Sequence, residues 1–153
     1  MDSERLRSYL LTLPHVTETM QWGANLVFWV GDKAIGGKMF ALLNLDDPTP
    51  DELSGRRSRP LVSFLAGPAR FAELLEIDGL IPAPYFARAH WVAALRWDAF
   101  TTSDWRRELT AAHALTLAKL PPKVRATLAL PRAKQKAAIA SSRKALAAAK
   151  KRT

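Results

Sequence analysis

The sequence predicts an α+β fold, with helices packed on an antiparallel β-sheet. Three observations carry that expectation. One helix-period segment opens the chain and is closed by Pro14. Short apolar runs then alternate with glycine turn signals, the pattern of neighbouring strands. After Thr101 a second helix-period segment runs to the pair Pro121-Pro122.

Taken in order, residues 2 to 13 read as a helix capped by Asp2 or Ser3. Leu6, Tyr9, Leu10 and Leu13 fall on its inner face. Leu26 to Val30 is apolar at every position, which suits a central strand covered on both sides. Gly31-Asp32 and Gly36-Gly37-Lys38 are turn signals. Met39 to Leu45 is a further strand; strict alternation puts Phe40 and Leu42 on one face and Met39, Ala41, Leu43 and Leu45 on the other. Asp46 to Ser58 is a polar excursion with the basic cluster Arg56-Arg57-Ser58-Arg59 at its end. Leu61 to Leu65 is a strand, and Gly67-Pro68 opens a short helix with Phe71, Leu74 and Leu75 inside. Pro82 and Pro84 make Leu80 onward an edge or crossing strand, which is expected to run on through His90 to Trp97. A helix capped at Thr101, Thr102 or Ser103 then buries Trp105, Leu109, Ala112 and Leu120.

The 153 residues suit one domain with a core of its own. No cysteine is present, which removes disulfides, thiol chemistry and Cys-type zinc sites. Asp2-Ser3-Glu4-Arg5 opens a polar helix, so neither a secretory leader nor a membrane span is expected, and a cytoplasmic protein is the default. The formal charge of +9 is unevenly placed. Residues 119 to 153 hold eleven of the 23 Lys and Arg and no acid, whereas residues 1 to 118 carry a net charge of −2. The basicity belongs to the C-terminus and points to an anionic partner, nucleic acid first.

Residues 82 to 92 read Pro-Ala-Pro-Tyr-Phe-Ala-Arg-Ala-His-Trp-Val. Pro82, Ala83, Pro84, Tyr85, Ala87, Arg88, His90, Trp91 and Val92 fill a motif similar to that of the MmcQ/YjbR family. Gly37-Lys38-Met39-Phe40-Ala41 and the turn around Pro14, Val16 and Glu18 resemble the same family, over about residues 5 to 130. The resemblance implies a frataxin-like fold of the double-wing type and DNA binding through hairpin wings. Lys38, Arg56, Arg57 and Arg59 stand where such wings would meet phosphate, with Arg88 as the motif's own arginine. Many members carry Lys where this chain has Leu65.

The residues themselves offer little for catalysis. His15, His90 and His113 stand at no metal-ligand spacing, and His90 reads as a half-buried residue hydrogen-bonding across the sheet. There is no Gly-x-Ser-x-Gly, no phosphate-binding loop and no calcium-loop spacing at Asp46-Asp47 or Asp51-Glu52. Trp29, Trp91 and Trp97 read as core, and Trp22, beside Gly23, as the tryptophan most open to solvent. No cofactor, no metal and no enzymatic activity are expected. Residues 131 to 153 form a basic Ala/Lys-rich tail, helical or disordered. If helical, it aligns Arg132, Lys136, Arg143 and Lys150 in one stripe, with Lys123 and Arg125 upstream.

Three readings follow. The first is a DNA-binding protein that contacts the phosphate backbone through the tail and the loop cations. The second is a non-enzymatic interaction module. The third is a ligand-binding protein or enzyme with a pocket near Tyr85, Arg88, His90 and Trp91.

Overall fold

A computed structural model describes residues 1–46, 52 and 59–152. Helix α1 (Ser3–Leu10) starts where the Asp2 carboxylate accepts from the Arg5 backbone N–H at 2.8 Å. Strands β1 (Val16–Gln21) and β2 (Asn25–Val30) form a hairpin, and a 3₁₀ turn, Lys33–Ile35, leads into β3 (Lys38–Asn44). Then follow β4 (Val62–Leu65), the short helix α2 (Phe71–Leu74), β5 (Leu80–Pro82) and β6 (Trp91–Ala94). Three helices close the chain: α3 (Thr102–Lys119), α4 (Pro122–Leu128) and α5 (Arg132–Arg152). The six strands make one antiparallel sheet in the order β1-β2-β3-β4-β6-β5. The α+β expectation holds.

Helices α1 and α3 cover one face. Leu6, Leu10, Phe28, Phe40, Phe64, Trp105 and Leu109 are all fully buried there. At roughly 2 kcal/mol for each large apolar side chain, this layer dominates the stability of the fold. Thr101 caps α3 by accepting from the Asp104 N–H at 3.1 Å. The opposite face carries a smaller cluster of Val27, Leu42, Ala83, Trp91 and Ala93, to which none of the described helices contributes a buried residue.

Two expectations about strands are corrected. Met39 to Leu45 does not alternate strictly. The β2–β3 register shifts between Phe28 and Trp29, leaving Phe40 as an extra residue. Phe40 and Ala41 consequently both enter the helix-side core. The stretch from Leu80 to Trp97 is also not one strand. It is an edge strand, a connection with a 3₁₀ turn at Ala87–Ala89, and a return strand paired antiparallel to the first. Pro84 and the left-handed backbone at Tyr85 (φ 68°) break the run.

The C-terminal segment is helical and seated on the fold. Pro122 takes the first turn of α4, a position that needs no N–H. Val124 then lies on Gly36 and Leu128 on Gly31. The Gln135 amide donates to the carbonyls of Leu128 (2.9 Å) and Leu130 (2.7 Å), which fixes the bend into α5. Gln135, Ala138, Ile139 and Ser142 are the partly buried positions of α5, at the i, i+3, i+4, i+7 spacing of one docked face. Arg143 donates to Asp32 at 2.5 Å. Asp32 also accepts from the Ala34 N–H, so one carboxylate caps the 3₁₀ turn and anchors the helix.

Candidate functional site

β2 and β3 run between two chemically different ends. Five residue steps from Asn25 to Val30 separate them, about 17 Å.

The first end is basic. Its platform is the turn from Gly31 to Gly37, built so tightly that a Cβ on Gly37 would lie 2.1 Å from the Gly31 carbonyl oxygen. Lys38 starts β3 there and is exposed. Lys33 sits over the Trp29 ring at 5.6 Å. The docked helix adds Arg132, Lys134, Lys136, Lys144, Lys151 and Arg152, all exposed, with Lys123 and Arg125 on α4. None of these eight has a carboxylate partner among the described residues. Arg143 does, at Asp32, and is therefore an anchor rather than a free phosphate contact. From the 100° per residue of a helix, Arg132, Lys136, Lys144 and Lys151 fall within about 120° of arc that begins beside the docked face and also holds Arg143.

The second end is aromatic. A groove of about 460 Å³ opens on the sheet face opposite α1 and α3, floored by Leu42, Leu61 and Ser63. Asn25, Asn44 and Arg59 border it, and Trp22, Tyr85 and Phe86 form its rim. Trp22 comes from the β1–β2 turn and is 60% exposed; Tyr85 comes from the β5–β6 connection and is fully exposed. Trp22, Phe86 and Trp91 make a chain of ring contacts, with centroids 6.5 and 5.3 Å apart. Two of the three rim residues have left-handed backbone, Trp22 at φ 48° and Tyr85 at φ 68°. That region disfavours bulky side chains.

The other residues singled out in the sequence take varied places. Arg59, expected to meet phosphate, is engaged by the buried Glu52 carboxylate at 2.6 and 2.8 Å and by Asp46 at 3.5 Å. Hydrogen bonding to Glu52 raises its already high pKa further. Arg56 and Arg57 lie outside the described residues. Arg88 is exposed in the 3₁₀ turn and makes no ion pair among the described residues. Lys150 lies in the last turn of α5.

His90 is not in a strand. It holds φ 62° just before β6, and its ring meets Phe71 edge-on at 5.4 Å instead of bonding across the sheet. Its carbonyl accepts from the N–H groups of Ala66 and Gly67, so its backbone ties β4 to the turn. Trp91 is buried. Of the proposed pocket near Tyr85, Arg88, His90 and Trp91, only Tyr85 borders the groove. His113 is structural, bonded to the Pro14 carbonyl at 2.7 Å and set edge-on against Phe40. Among the described residues no three His, Asp or Glu side chains gather as a metal site.

Asn25 and Asn44 escaped the sequence reading. Only the pairing of β2 with β3 brings the two asparagines opposite one another.

The YjbR family model matches residues 11–115. The chain belongs to the YjbR family. A crystal structure of protein DR2400 from Deinococcus radiodurans, with a DUF419 domain, superposes at a TM-score of 0.65. The two are 24% identical over 84% of this chain and 88% of that one, a likeness of fold alone. No curated protein matches the sequence. The family match ends inside α3, so α4 and α5 lie beyond it. No described helix is long and apolar enough to cross a membrane.

Proposed function

We propose that this YjbR protein is a binding protein, not an enzyme, and that it holds nucleic acid, DNA foremost, by the phosphate backbone. One observation carries the reading. A helix of 21 residues, about 31 Å long, is fixed to the fold by Arg143 and Gln135, while its Arg132, Lys136, Lys144 and Lys151 are exposed and have no acidic partner among the described residues. A docked helix has already lost much of the conformational entropy that a free basic tail would lose on binding. Phosphates would relieve the mutual repulsion of its lysines and arginines and release counterions. Lys38, Lys123 and Arg125 extend the same end of the molecule. Contacts of this type position a duplex without reading its sequence.

The test is fluorescence anisotropy with a labelled DNA duplex across a range of salt, for the full chain and for a variant with Arg132, Lys136, Lys144 and Lys151 changed to Gln. The slope of log affinity against log salt should fall by about 3 to 4, near 0.9 for each phosphate that is no longer neutralised. An unchanged slope would remove α5 from the interface. Absence of binding by the full chain at physiological salt would end the DNA reading.

A further inference from the structure

We propose that the aromatic groove is a nucleobase site, in which the edge of a planar heterocycle is read by Asn25 and Asn44 and its face stacks on the Trp22 and Tyr85 rim. The inference does not rest on backbone binding by α5, because the groove lies at the other end of β2 and β3.

The two asparagines define the ligand's edge. They are direct register partners across β2 and β3, with Cβ atoms about 5 Å apart. Each has one half of its amide committed. Asn25 Nδ2 donates to the Trp22 carbonyl at 2.8 Å, which leaves Oδ1 as an acceptor. Asn44 Oδ1 accepts from the Asp46 N–H at 2.9 Å, which leaves Nδ2 as a donor. Neither remaining group has a partner among the described residues. One acceptor and one donor therefore stand side by side at a groove that is otherwise mostly apolar. A ring with an adjacent N–H and C=O, such as the N3–H and O4 of uracil, satisfies both at once.

The rim supplies the face. Tyr85 is fully exposed and packs on nothing, yet holds a backbone conformation that glycine would adopt without strain. Trp22 adopts the same region and is exposed as well. The fold has no use for an aromatic ring at Tyr85, whereas stacking on a flat heterocycle does. Phe86, backed by Trp91, completes the apolar wall. Arg59 adds no free charge, since Glu52 and Asp46 already hold it. An uncharged nucleoside should consequently bind as well as its phosphate ester.

The base can come from a free nucleoside or from an unstacked single strand. Nitrogen-15 NMR titration of the full chain separates the two, with the Trp22 indole and the Asn25 and Asn44 side-chain amides as reporters. Uridine should move all three saturably. 3-Methyluridine, which lacks the N–H that Asn25 Oδ1 would accept, should bind about tenfold more weakly. Because the analogue leaves the protein unaltered, a folding defect cannot imitate that result. Tyr85→Gly should weaken uridine binding without lowering the melting temperature. In the variant with Arg132, Lys136, Lys144 and Lys151 changed to Gln, an oligothymidylate that moves the three reporters at far lower concentration than thymidine assigns the site to single strands; equal affinity assigns it to free nucleosides. The proposal is overturned if uridine leaves the three reporters unmoved, or if 3-methyluridine binds as tightly as uridine.

Discussion

The basic end and the aromatic end are joined by the same two strands but owe their shape to different forces. At the basic end, function would rest on charge, and the fold's task is to hold an Ala/Lys helix still. One turn, one half-buried glutamine bonded to two carbonyls and one ion pair accomplish that. At the aromatic end, the apolar groove needs no net charge; even Arg59 is neutralised beside it. Its side chains are held by left-handed backbone and by strand register. The contrast separates two kinds of affinity: one falls steeply with salt, the other hardly at all.

The largest expected effect breaks the basic end. Gly37→Ala would drive a Cβ into the Gly31 carbonyl and against Asp32, with backbone on both sides and no flexible side chain to yield. Denaturant unfolding should show a loss of about 3 kcal/mol. Salt-dependent DNA affinity should drop with it, because the platform of α5 moves.

Next comes Asp32→Ala, which removes the cap of the 3₁₀ turn and the partner of Arg143 together. The expected loss is about 1 to 2 kcal/mol. Hydrogen exchange in α5 should accelerate while β1 to β6 stay protected. Equal acceleration everywhere would mean that the helix is not a separable unit.

At the aromatic end the sign reverses. Tyr85→Gly relieves left-handed strain and removes a ring that packs on nothing, so stability should rise by about 1 kcal/mol. Destabilisation in the same unfolding assay would show that the ring supports the fold.

The smallest effect lies in neither region and serves as a control. The Arg7 guanidinium, by hydrogen bond and charge, holds the Glu18 carboxyl below the usual glutamate range. A depressed carboxylate contributes stability above its unfolded pKa, and that stability is lost as pH falls through the folded pKa. Arg7→Met should flatten the acid side of the stability curve slightly and leave both binding activities unchanged.

The architecture was legible because its causes are local. Pro14 and Pro121-Pro122 end helices, Thr101 caps one, and the glycine turns divide the strands. The edge position of Leu80–Pro82 also followed from its prolines. Register was not legible: nothing near Phe40 announces the bulge that turns both Phe40 and Ala41 inward. The site fared worse for the same reason. Arg59 and Arg143 read as free cations, since their carboxylates, Glu52 and Asp32, meet them only in the folded chain. Asn25 and Asn44 are ordinary polar residues 19 positions apart until pairing sets them opposite. Trp22 was visible as an exposed tryptophan, because a large ring beside a turn glycine has no interior to enter.

The most direct test maps a 12-base-pair duplex onto the full chain by amide chemical shifts. Perturbations should fall on Lys38, the Gly31–Gly37 turn, α4 and the outward face of α5, while the Trp22 indole and the Asn25 and Asn44 amides stay in place. Shifts concentrated at Trp22, Tyr85 and Arg88, with α5 silent, would contradict the division of the molecule into a charged end and an aromatic one.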